Sequence, residues 1–240
     1  MGIMGVRSVA CSHVGLVRTA NEDSFLECSD LGLFVVADGM GGATAGALAS
    51  NAIVTALGAI ARRLSAPSLL AEIRARIDRV NSDLQREAAA RGPDVMIGST
   101  VAGLVLREGH FACFWAGDSR VYRLRAGELD QLTRDHSAVQ QMIDAGVLHP
   151  SEAERHPHAN VISRAVGVDP AVQLDWVHAP IRPGDIFLVC SDGLTRYVAD
   201  SEIETALATT GIERAVQDLL ALTLARGARD NVTMVLAATA

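Results

Sequence analysis

Four times in this chain an aspartate stands where an apolar, strand-like run begins or stops. Asp38-Gly39 follows the run 33–37, Gly117-Asp118 follows 110–116, Asp192-Gly193 follows 186–191, and Asp230 comes just before 232–237. A buried strand that ends in an acid presents the carboxylate at the edge of its sheet, and an adjoining glycine lets the backbone turn sharply or approach an ion. Any one Asp-Gly pair reads equally well as an ordinary turn. Their recurrence is the constraint, because it asks for a fold whose strand ends meet at one pocket. Carboxylates gathered in this way repel and raise one another's pKa unless cations neutralise them. A hard divalent ion with oxygen ligands, manganese or magnesium, suits such a set better than zinc, since no His/Cys spacing of the zinc type is present.

The pattern between these acids predicts layers. Strands are expected at 6–13, 23–28 and 31–37, and the run 33–36 is apolar on both faces, which suits a strand buried inside a layered fold. Helices are expected over 45–64 and 69–90, the second with Leu70, Ile73, Ile77, Val80 and Leu84 as a core-facing stripe. Four strands at 100–106, 110–116, 120–124 and 128–132 are separated by Glu108-Gly109, Gly117-Asp118 and Ala126-Gly127 and read as an antiparallel meander. A helical patch at 137–145 leads into a polar, His-rich stretch over 148–160. Strands at 172–177 and 186–190, helices at 201–208 and 212–225, and a last strand at 232–237 complete the order. The class is α+β, with packed antiparallel sheets and helices on their outer faces. No linker or repeat divides the chain, so residues 1–240 are expected to form one domain.

Bulk properties exclude some partners. With 49% hydrophobic residues a packed core is available, and a net charge of −7 lacks the basic excess that nucleic acid binding requires. The most apolar helical stretch, 45–61, is interrupted by Ser50, Asn51, Thr55 and Gly58, so no membrane span is expected, and residues 1–12 lack a signal pattern. A cytoplasmic location is expected, on its own or on the cytoplasmic face of a larger assembly. Cys11, Cys28, Cys113 and Cys190 form no CxxC pair and are read as reduced core thiols.

Other residues sharpen the chemistry. Arg18, just before Asn21-Glu22-Asp23, reads either as a surface ion pair or as a guanidinium fork that clamps phosphate oxygens. Gly39 to Gly42 are not followed by Gly-Lys-Ser/Thr, so a nucleotide P-loop is excluded. His136, His149, His156 and His158 show no ligand spacing and are expected to be exposed or to cap turns. Ser99-Thr100, Ser119 and Ser191 lack the Gly-x-Ser-x-Gly elbow and are expected to orient the acids or cap turns. The mechanism such parts permit is two-metal hydrolysis, in which ions bridged by a carboxylate activate shared water for in-line attack on phosphorus.

In register along nearly the whole chain, these segments resemble the bacterial form of the PPM, or type 2C, metal-dependent serine/threonine protein phosphatases. The matching stretches are GLVRTANED (15–23), VADGMGG (36–42), GST (98–100), GDSR (117–120), DHS (135–137), HPHANVISRAVG (156–167), SDGLT (191–195) and Asp230-Asn231. The resemblance implies a central β-sandwich of two antiparallel sheets flanked by helix pairs, a four-layer α-β-β-α arrangement, with a flap near 138–160 beside the cleft. It implies two divalent metals, manganese or magnesium, with a third, weaker one. Asp38 would bridge the core pair, Gly39 would lend its carbonyl, Asp192 and Asp230 would complete the first site, and Asp118 would help hold the third metal. Glu22 would act through water, Asp23 and Asn231 would support the ligands from behind, and Arg18 would bind the substrate phosphate. The partners implied are phosphorylated proteins and a serine/threonine kinase, and the chain is expected to be a monomer.

Two positions depart from the family pattern. Met40 stands where many eukaryotic members carry a histidine proposed to protonate the leaving group, and Arg196 stands where an acid is frequent. Two other functions remain open on the residues alone: a catalytically silent relative that binds phosphoproteins, and a phosphatase of small phosphate esters or a regulator of sigma-factor antagonists. With no anchor or sensor domain in the chain, regulation is expected from a separate protein or from metal and phosphate levels.

Overall fold

The computed structural model describes residues 5–42 and 44–240. Chain order gives β1 (Val6–His13), β2 (Asp23–Cys28), β3 (Leu33–Met40), α1 (Ala45–Gly58), α2 (Ala66–Arg91), β4 (Gly98–Ser99), β5 (Val101–Arg107), β6 (His110–Ala116), β7 (Arg120–Arg125) and β8 (Glu128–Gln131). It continues with α3 (Ala138–Asp144), β9 (Asp175–Pro180), β10 (Ile186–Cys190), α4 (Asp192–Thr195), α5 (Asp200–Thr209), α6 (Ile212–Ala225) and β11 (Val232–Thr239). One sheet runs β1-β11-β10-β7-β8; the other runs β2-β3-β5-β6-β9, with β4 paired to β3. The strand pairs are antiparallel.

Period-two alternation explains the four layers. In β3, Leu33, Val35 and Ala37 face α1 and α2, while Phe34 and Val36 face the other sheet. In β10 and β11, Leu188, Cys190, Val232, Met234 and Leu236 face α5 and α6, and Phe187, Val189, Val235 and Ala237 fill the space between sheets. Strands clad on both faces read as unbroken apolar runs for this reason. Helix α2 starts at Ser65, whose Oγ accepts from the Ser68 amide, with a proline in its first turn. Its buried stripe is Leu69, Ile73, Ile77, Val80, Leu84 and Ala88, so Leu69 takes the place expected for Leu70. The four cysteines are free, with Cys113 and Cys190 buried. Among the described residues no helix is long and apolar enough to cross a membrane.

Three expectations are corrected. The helix from 45 ends at Gly58, not 64, because Ile60 folds back into the core after a turn closed by Ala59 N–H to Thr55 O. The strand expected at 172–177 is Asp175–Pro180, because β6 ends at Ala116 and its last partner pair is Trp115 with Asp175; Val172 and Leu174 are buried ahead of it. The meander is broken: β5 and β6 belong to one sheet and β7 and β8 to the other. Gly117 makes the corner at a φ of +115°, where a Cβ would lie 2.6 Å from Thr100 Cγ2. That corner carries Asp118 across the gap between the sheets, to the end where the other acids lie.

Candidate active site

The site is assembled from strand ends. Pairing of β2 with β3 sets Asp23 opposite Asp38. The Asp38 backbone is pinned on both sides: its amide donates to Thr100 Oγ1 at 3.1 Å, and its carbonyl accepts from Thr100 N and Ser99 Oγ, each at 2.9 Å. Thr100 Oγ1 in turn lies 2.7 Å from Ser119 Oγ, beside Asp118. Gly39 donates to the Glu22 carbonyl, and α1 closes on it so tightly that a Cβ on Gly39 would lie 2.1 Å from Gly46 O. Ser191 Oγ donates to Asp23 Oδ2 at 2.9 Å, so the serine at the end of β10 does orient an acid.

Asn231 ties the remaining loop to the cleft. Its Nδ2 donates to the Val14 and Ala20 carbonyls, and its Oδ1 accepts from the Glu22 amide at 2.8 Å. The segment that bears Arg18 and Glu22 is thereby held against the start of β11, next to Asp230. Arg18 grips Asp230 with Nε to Oδ1 and Nη2 to Oδ2, both at 2.9 Å, and keeps half of its side chain exposed. The ion pair read from the sequence therefore exists, although its partner lies at the far end of the chain.

Asp38, Asp118, Asp192, Asp230 and Glu22 line one cleft of about 390 Å³ with Arg18, Gly39, Met40, Arg196 and Asn231. Asp23 lies behind Asp38 at the paired register position. Burial first, then Asp23, Asp192, Asp118 and Asp230, holds the Asp38 carboxyl well above the ordinary aspartate range. Burial pushes Asp23 and Asp118 each up to about 7, and it raises Asp192 against the pull of Arg196. Three buried carboxylate oxygens, Glu22 Oε1, Asp23 Oδ1 and Asp192 Oδ1, have no hydrogen-bond partner. Orphaned buried acceptors are costly unless something positive meets them. Among the described residues no three acidic, His or Cys side chains close into a ready cage; Arg18 and Arg196 stand on two of the acids instead. In donor chemistry and in its unmet oxygens, the cleft fits hard divalent cations.

His136 departs from expectation. It is buried at 8% exposure and stacks on Trp115; its Nδ1 accepts from Gly117 N–H at 3.2 Å, and its Nε2 lies 3.2 Å from Asp175. Burial lowers its pKa. It braces the corner that carries Asp118, and the signal for this was its place in the DHS motif. His149 does cap a turn, His156 is half-buried with its Nδ1 accepting from the His158 amide at 3.2 Å, and His158 is exposed. Ala138 N–H to Val161 O and Ser163 N–H to His136 O pin the base of the 138–160 segment, whose end brings Asn160 to the cleft wall, with Ile162 just beyond it. Thr100 positions Asp38 as the sequence led one to expect; sequence reasoning missed the wall contributed by Thr19, Asn160 and Ile162, and it placed Arg196 without its partner Asp192.

A helix-clad double sheet with its acids gathered at one end defines an α+β sandwich with an oxygen-lined, cation-accepting cleft. The chain belongs to the protein phosphatase 2C family, whose model matches residues 16–237. It is similar to the structure described as PppA, a key regulatory component of T6SS in Pseudomonas aeruginosa, at 42% identity over 99% of each chain and a TM-score of 0.92. The catalytic domain of the serine/threonine phosphatase PstP, solved in complex with two manganese ions, is 36% identical over 97% of each chain with a TM-score of 0.85. The serine/threonine phosphatase stp of Listeria monocytogenes is 32% identical over 92% of this chain and 91% of its own length. The chain spans only 45% of the full-length PstP of Mycobacterium tuberculosis.

Proposed function

We propose that this chain is a protein phosphatase that hydrolyses phosphoserine and phosphothreonine with two divalent cations, manganese or magnesium. The observation that carries the reading is the convergence of Asp38, Asp118, Asp192 and Asp230 with Arg18 in one cleft, with buried carboxylate oxygens left unmet. Asp38, Asp192, Asp230 and the Gly39 carbonyl would hold the ions, with Asp118 at the edge and Glu22, Asp23 and Asn231 behind them. Divalent cations bound there supply the Lewis acidity that turns water into a nucleophile for in-line attack on phosphorus. The protein's part is positioning. Arg18, at the open side, carries a planar fork that Asp230 holds here and that two phosphate oxygens would take over once Asp230 turns to the ions, and Asn231 fixes the loop that carries it. Ser99 and Thr100 hold the Asp38 backbone, which fixes where its carboxylate is presented to the cleft. Met40 has no proton to give the leaving oxygen, which would take one from metal-bound water or from another group.

The named phosphatase relatives support this reading, and the manganese-bound PstP supports the choice of metal. We place the chain opposite a serine/threonine kinase in a regulatory pathway, as a single cytoplasmic domain acting as a monomer; the regulatory description of PppA is consistent with that setting. The test is phosphate release from a phosphothreonine peptide and from an aryl phosphate, with and without manganese. Activity should require the metal and disappear in Asp38→Ala. Turnover that survives complete chelation would defeat the proposal. Binding of phosphopeptide without turnover would favour a silent binding relative, and faster turnover of small phosphate esters than of peptides would move the substrate class.

A further inference from the structure

Arg196 is a cation that the chain itself supplies to the acid cluster. Its guanidinium pairs with Asp192 one turn earlier across α4, and its side chain is about one-third exposed, while Asp192 Oδ1 on the same carboxylate stays buried and unmet. Arg196 lines the cleft together with Asp118, and it also borders a neighbouring cavity of about 830 Å³ between the 138–160 segment and α4–α5. Burial, then Asp192 and Asp135, raise the Asp118 carboxyl, and Arg196 is the cation that opposes them. A guanidinium stays protonated at any pH the protein meets, so this charge cannot be titrated away.

The charges then limit what else can enter. Glu22, Asp38, Asp118, Asp192 and Asp230 line the cleft with Asp23 behind, six formal negative charges, and Arg18 and Arg196 return two. The remaining four are what two divalent cations neutralise. A third divalent ion beside Asp118 and Asp192 would enter a pocket already balanced and would have to displace a guanidinium seated on its ligand, whereas loss of Arg196 leaves one negative charge uncompensated at that place.

We propose that Arg196 occupies the Asp118–Asp192 side of the cleft in place of a third divalent ion and so limits the chain to two. The inference rests on the two-cation reading above. Equilibrium dialysis of the full chain against saturating manganese at neutral pH, without phosphate, with the metal counted per chain by mass spectrometry, tests it independently of activity. The wild type should hold two ions and Arg196→Gln three, and adding Asp118→Asn to Arg196→Gln should return the count to two. Three ions on the wild type would overturn the inference and leave the phosphatase reading intact. An unchanged count in Arg196→Gln, or a third ion that persists in the double variant, would overturn it as well. A wild type that takes up no manganese would overturn the phosphatase reading itself, and this inference with it.

Discussion

Taking a charge out of the acid cluster should stabilise the metal-free protein while it weakens the site. Asp118 is the clearest case, since it is 8% exposed and its carboxyl is pushed from an ordinary 3.8 up to about 7, first by burial and then by Asp192 and Asp135. A shift of about three units at ~1.4 kcal/mol per unit sets a ceiling of about 4 kcal/mol. Neighbouring acids share that penalty and relax when one of them changes, so an expected gain of about 1–3 kcal/mol for Asp118→Asn is reasonable. The folded pKa lies above the unfolded one. The carboxyl therefore destabilises the fold fully above about pH 7, and its cost fades as pH falls from there towards about 4. Thermal melts in excess chelator at pH 8 should show Asp118→Asn above the wild type by roughly 3–10 °C. That gap should close as the buffer approaches pH 4. Added manganese should shrink or reverse it, because the wild type gains more from binding. An Asp118→Asn variant that melts at or below the wild type in chelator at pH 8 would refute the view that crowded charge strains this cleft.

Three further outcomes follow from the same geometry. Arg18→Lys keeps the charge but loses the two-pronged grip on Asp230, and kcat/KM for a phosphopeptide should fall roughly 10- to 100-fold, with an unchanged value counting against a phosphate fork. Asn231→Ala removes three hydrogen bonds that tie the Arg18 loop to β11; urea melts should show a loss of about 1–3 kcal/mol, with KM raised more than kcat is lowered. Gly39→Ala forces a methyl against Gly46 O, and a loss of about 1–3 kcal/mol or more is expected in the same melts, together with poorer metal retention.

Much of this architecture was legible because burial on both faces leaves a plain mark. The run 33–37 suits an interior strand and forms the body of β3, although the strand starts at Leu33 instead of 31 and continues through Asp38 to Met40, where Gly39 and Met40 pair with β4. The convergence of Asp38, Asp118, Asp192 and Asp230 was implied by the family resemblance and by acids at strand ends, and one cleft receives all four. The path between the sheets was not legible. Glu108-Gly109 and Gly117-Asp118 both look like glycine-acid turns after an apolar run, yet the first closes a hairpin and the second crosses to the other sheet. What separates them is the packing of Gly117 against Thr100, a contact between segments far from the turn's own residues. Ionic partners were hidden for a similar reason. Arg18 meets Asp230 across almost the whole chain, and His136 turns inward because Trp115 and Asp175 make a niche for it that local polarity does not announce.

The position of β11 carries a consequence for biosynthesis. This strand lies between β1 and β10, and Asp230 and Asn231 immediately precede it. As a ribosome threads the polypeptide out from its amino end, the sheet stays split and the Arg18 loop untethered until residues 230–239 emerge and slot into the gap. Closure of the sheet and completion of the cleft are thus one event, so arrested nascent chains that stop short of residue 230 should be catalytically mute.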